Sequence, residues 1–105
     1  PNMPVNSAVL AGWQVTLRVS PFQDRLIVGV TFISRDPAGQ NAASAPDATA
    51  RISLPGTGEQ LFLAGALERS PITLRGSLRR AGGAKKVQAQ VSIAGTRATL
   101  WLPVP

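Results

Sequence analysis

From residue 70 to the end of the chain, apolar and polar residues trade places with period two, three times over. Ile72, Leu74 and Leu78 alternate with Thr73, Arg75, Ser77 and Arg79. Val87, Ala89, Val91 and Ile93 alternate with Gln88, Gln90 and Ser92, and Ala98, Leu100 and Leu102 with Arg97, Thr99 and Trp101. Side chains of a strand switch faces at every residue, so each run predicts a strand with one apolar and one polar side. Paired as a meander, the three would merge their polar sides into one surface of Arg, Gln, Thr and a tryptophan. That surface is the leading functional candidate in the chain.

Upstream, Trp13, Val15, Leu17 and Val19 alternate with Gln14, Thr16, Arg18 and Ser20. This is a half-buried strand starting as early as Val9 and ended by Ser20-Pro21, because proline donates nothing to a ladder. Residues 26–33 are apolar on both faces and rich in β-branched side chains, which predicts the central strand. Alternation resumes over 48–54, Pro55-Gly56-Thr57-Gly58 reads as a turn, and 60–67 fits a short helix or a buried strand. Gly65 and the flanking turns favour a bent strand there. Residues 80–84 predict a hairpin loop and Ala94-Gly95 a tighter one. Residues 1–7 read as a loose lead-in and 36–47, without periodicity, as a mobile loop. About seven strands at this spacing predict a single all-β domain over 1–105, an immunoglobulin-like antiparallel sandwich.

Composition narrows the chemistry. The chain has 105 residues, enough to bury a core without metals or disulfides, and 44% of them are hydrophobic. The longest apolar run, 61–67, falls far short of the ~20 residues that cross a bilayer, so no membrane span is expected. His, Cys and Tyr are all absent, which removes the usual general base, thiol nucleophile and transition-metal ligands. The five acids, Asp24, Asp36, Asp47, Glu59 and Glu68, fall at turns and strand ends without calcium-loop spacing. Gly56, Gly58, Gly82 and Gly83 precede no helix and no Lys-Ser/Thr pair, so they read as turn glycines rather than a phosphate loop. No enzyme, no cofactor and no metal site is expected.

Binding remains. Net charge is +6, from eleven basic and five acidic residues, which favours an acidic partner. The outward positions of the three last strands and their loop make the candidate partner-binding set: Arg75, Arg79, Arg80, Lys85, Lys86, Gln88, Gln90, Arg97 and Trp101. Basic side chains around an aromatic are what single-stranded nucleic acid sites use, although only one aromatic stands on this face. Trp101 is either such a platform or packed against a loop, and the arginines equally fit a solvated sheet face. An exposed sheet edge offers a second mode, pairing with another extended chain.

In order and spacing, Ile33-Ser34-Arg35-Asp36-Pro37-Ala38-Gly39-Gln40, Ile52-Ser53-Leu54-Pro55 and the ending over 87–105, with Trp101 and Pro103, resemble the periplasmic curli-biogenesis chaperones of the CsgC type. The resemblance covers roughly residues 24–105. It implies an immunoglobulin-like sandwich that keeps an amyloid subunit from assembling in the periplasm. The Cys-x-Cys pair of some members is missing, residues 25–27 standing in that region, so no thiol-linked activity carries over. The start at Pro1 fits either a processed exported protein or an excised segment, and a composition rich in Ala, Gly, Ser, Thr and Gln, like that of bacterial envelope proteins, favours a periplasmic or secreted location. The first expectation is therefore a non-enzymatic exported chaperone of an acidic amyloid or fimbrial subunit. The alternatives are a structural interaction module of a bacterial envelope or secretion assembly, and a basic barrel binding single-stranded nucleic acid.

Overall fold

The computed structural model describes residues 3–35 and 45–105, and within them the chain is all-β. Eight strands follow one another: β1 (Ser7–Leu10), β2 (Trp13–Phe22), β3 (Arg25–Ser34), β4 (Asp47–Ser53), β5 (Gln60–Ala66), β6 (Ile72–Arg79), β7 (Lys86–Ile93) and β8 (Thr96–Pro103). They form two four-stranded sheets, ordered β1-β2-β3-β6 and β5-β4-β7-β8, and every pairing is antiparallel. The sheets pack face to face as a β-sandwich. No helix long and apolar enough to cross a membrane occurs among the described residues.

Period two does the sorting. On β2, Trp13, Val15 and Leu17 point inward, and on β3 Leu26, Val28, Val30 and Phe32 do, all four fully buried. Ala48, Ala50 and Ile52 on β4, Val87, Ala89, Val91 and Ile93 on β7, and Leu100 on β8 meet them from the opposite sheet. Among the described residues every buried side chain is apolar, so no polar group there is held in the core without a partner. The two-residue turns Ala11-Gly12 and Ala94-Gly95 both have positive φ at both positions, the twist that a tight hairpin needs.

Residues 26–33, read as a central strand, lie in β3, which is an inner strand between β2 and β6. Residues 60–67 resolve as a strand, β5. Five expectations need correction. Residues 72–103 do not form a three-stranded meander, because β6 joins β3 in one sheet whereas β7 and β8 join β4 in the other. Residues 80–84 are therefore a crossing between sheets and not a hairpin loop.

The lead-in is not loose along its whole length. Leu17 N–H donates to Asn6 O at 2.8 Å and Trp101 N–H to Val5 O at 2.8 Å, so this segment ties β2 to β8 before Ser7 opens β1. Pro21 does not end β2, which pairs on to Phe22 opposite Arg25. Backbone groups of a strand face the same side at every second residue. Leu17 faces the β1 side, so Pro21 does too, and β1 does not reach that far. Of the segment 36–47, residues 36–44 lie outside the described residues, and Asp47 already belongs to β4.

Candidate binding faces

Because β6 and the β7–β8 pair lie in opposite sheets, the nine residues of the sequence-derived set divide between two outer faces and one end of the sandwich. Arg75 and Arg79 stand on the β1-β2-β3-β6 sheet. Lys86, Gln88, Gln90, Arg97 and Trp101 stand on the other. Arg80 and Lys85 belong to the crossing, where the Arg80 guanidinium donates to the Pro105 carbonyl oxygen and holds the chain end.

On the β5-β4-β7-β8 sheet, register aligns three rows. They are Gln60–Ser53–Gln88–Trp101, Phe62–Arg51–Gln90–Thr99 and Ala64–Thr49–Ser92–Arg97. The middle rows frame an open hollow of about 510 Å³, with Arg51, Arg97, Gln90 and Phe62 around it. Phe62 is 61% exposed. Trp101 is half-buried, and the Lys86 ammonium sits 5.8 Å from its ring centroid, within cation–π range. One face of the indole thus carries the protein's own lysine rather than standing bare.

The β1-β2-β3-β6 sheet carries the stronger charge. Its outer rows are Ser7–Thr16–Thr31–Thr73, Arg18–Gly29–Arg75, Ser20–Ile27–Ser77 and Phe22–Arg25–Arg79. Four arginines and no carboxylate occupy them. Arg18 and Arg75 flank Gly29, two strand spacings or about 10 Å apart, with no side chain between them. Arg25 and Arg79 are directly opposed, an arrangement that costs stability unless the charges are drawn apart or paired. Arg25 turns aside: its Nε donates to Ser77 Oγ at 2.9 Å. At the margin of β6 the Glu59 carboxylate accepts from the Arg79 backbone N–H at 3.2 Å.

Two arginines of this face, Arg18 and Arg25, were absent from the set read from the sequence. Alternation already put Arg18 outward, but the register that aligns residues 18, 29 and 75 comes from pairings between distant segments. Arg51 and Phe62 were missed on the other face for the same reason. Among the described residues no three His, Cys, Asp or Glu side chains gather as a metal site. The chain matches no known protein family, no curated protein and no solved structure.

Proposed function

We propose that this protein is a non-enzymatic chaperone that binds an acidic, strand-forming polypeptide and delays its assembly, as the resemblance to curli-biogenesis chaperones implies. The observation that carries the reading is the uncompensated row pattern of Arg18, Arg25, Arg75 and Arg79 on one flat sheet face. Flat, open and basic, such a surface attracts a flexible acidic chain from a distance without enclosing it. An immunoglobulin-like connectivity is part of the proposal, and the pairings of β3 with β6 and of β4 with β7 support it. A periplasmic site of action and an amyloid or fimbrial subunit as client complete the proposal.

The test is the lag phase of an acidic amyloid-forming subunit, followed by thioflavin fluorescence with and without equimolar protein. A lag lengthened at low salt, shortened again as salt rises, and lost in the double variant Arg18→Glu/Arg75→Glu is the expected result. An unchanged lag at low salt removes the reading. Oligo-dT titrated under the same conditions checks the rival ligand, and saturable binding there with no effect on the lag would favour nucleic acid.

A further inference from the structure

A sandwich of two open sheets has four edges, and the hydrogen bonds of this one leave them unequal. At the β8 edge the outward-facing residues include Trp101, whose N–H is taken by Val5 O, and Pro103, which has no N–H. The β1 edge is four residues long. Two longer edges remain, β5 and β6, and they lie on the same side of the sandwich.

The direction in which β6 offers its backbone follows from two independent bonds. Arg80 N–H donates to Asp24 O at 2.8 Å, towards β3, whereas Arg79 N–H donates to the Glu59 carboxylate, away from it. Residues 73, 75, 77 and 79 therefore turn their N–H and C=O groups to the free edge. Arg79 N–H is capped by Glu59, and Ser77 O has a long contact of 3.5 Å from Arg25 Nη2. Among the described residues, the N–H groups of Thr73, Arg75 and Ser77 have no acceptor. They form three consecutive donor positions beside the arginine face.

The inner side of the same edge is apolar and incompletely covered. Leu61 and Leu63 of β5 lean over Gly76, and Leu74 of β6 leans over Gly65, yet all three leucines are only half-buried. A strand laid along β6 would carry one set of side chains over these leucines and the other set beside Arg75 and Arg79.

We propose that β6 is a docking edge at which a segment of the partner adds as a ninth strand, and that the segment alternates acidic with apolar residues. This rests on the reading of the protein as a binder of acidic, strand-forming chains, and states where and in which conformation the chain is held. Main-chain bonds to residues 73, 75 and 77 supply affinity; the arginines and the leucines select the alternation. An edge strand so engaged on the partner cannot template another copy of the partner, which links the docking mode to delayed assembly. The β5 edge is also open, but its outward row of Gln60, Phe62 and Ala64 carries no charge, so an acidic strand favours β6.

The probe is a capped peptide of alternating Glu and Val, matched to β6 at 8 residues, with a block peptide of the same composition as its control. The alternating peptide is expected to bind about tenfold more tightly than the block peptide. Ser77→Pro removes an outward N–H without touching a ladder bond to β3, although it also removes the hydroxyl that accepts from Arg25, and is expected to weaken binding about tenfold, because a partner carbonyl loses its donor. Ser77→Ala, which keeps the N–H but loses the hydroxyl as Ser77→Pro does, is the baseline against which that tenfold loss is read, and Ala64→Pro on β5 should bind as the wild type does. In the wild type, amide exchange at Thr73, Arg75 and Ser77 should slow when peptide saturates the protein. That measurement decides the matter if Ser77→Pro does not fold. Equal binding of the two peptides, a loss that follows Ala64→Pro instead, or exchange that does not slow overturns the proposal while leaving acidic-chain binding intact. Absence of binding by both peptides at low salt overturns the parent reading as well.

Discussion

Replacing Gly76 by alanine tests how closely the two sheets approach at their β5–β6 corner. A Cβ built at Gly76 lies 2.6 Å from Leu61 Cδ2, 3.2 Å from Leu61 Cδ1 and 3.2 Å from Leu63 Cδ2. Carbon atoms in contact prefer about 3.5–4.0 Å, so Leu61 has to move by roughly 1 Å. Overpacking of this kind costs about 1–3 kcal/mol. Leu61 is half-buried and can yield outward, which argues for the lower half of that range. Alanine also recovers about 0.5–1 kcal/mol by restricting the unfolded chain relative to glycine. The middle of each range leaves a net loss of about 0.75 kcal/mol, or a urea midpoint lower by several tenths of a molar.

Gly29→Ala supplies the opposite sign in the same sheet. Its Cβ would meet only Thr73 Cγ2, at 3.6 Å, an ordinary contact, so the entropy gain stands unopposed at about 0.4–1 kcal/mol. Equilibrium urea unfolding followed by far-ultraviolet circular dichroism measures both variants. A Gly76→Ala protein as stable as the wild type, or a Gly29→Ala protein destabilised to the same degree, refutes the close-approach argument.

Three further outcomes are expected. Ala94 holds φ 50° ahead of Gly95, a conformation that alanine disfavours and asparagine tolerates, so Ala94→Asn should raise stability by about 0.5–1 kcal/mol in thermal unfolding; an unchanged or lower midpoint counts against the left-handed turn. Phe32 is fully buried near the end of β3, and Phe32→Ala should cost about 3–5 kcal/mol, read as a lower urea midpoint; a loss under 1 kcal/mol contradicts its place in the core. Trp13 is 7% exposed and Trp101 half-buried, so acrylamide should quench Trp101 preferentially, and Trp101→Phe should leave a fluorescence that acrylamide barely touches.

Half of the candidate site was legible before the fold was known, and the division has a physical cause. Alternation within one strand is a local property, so the outward orientation of Arg75, Arg79, Gln88, Gln90 and Arg97 could be read from their neighbours alone. Membership of a sheet is not local. Nothing in residues 72–103 distinguishes a meander from a crossing, because β6 can satisfy its ladder against either β7 or β3 with the same pattern. The tertiary choice of β3 moved Arg75 and Arg79 beside Arg18 and Arg25 and away from Trp101.

By itself, the sequence determined an all-β chain with an apolar interior, the inner position of residues 26–33, and the absence of the side chains on which most catalysis depends. These follow from period two, β-branching and composition, each of which acts over a few residues. Only the tertiary structure decided which charges share a face and which backbone groups remain without a partner. Both depend on register between segments far apart in the chain, where Gly29 meets Arg75 and the segment before Ser7 closes the edge of β8. The four-arginine face and the open edge of β6 are therefore properties of the pairing rather than of any one strand.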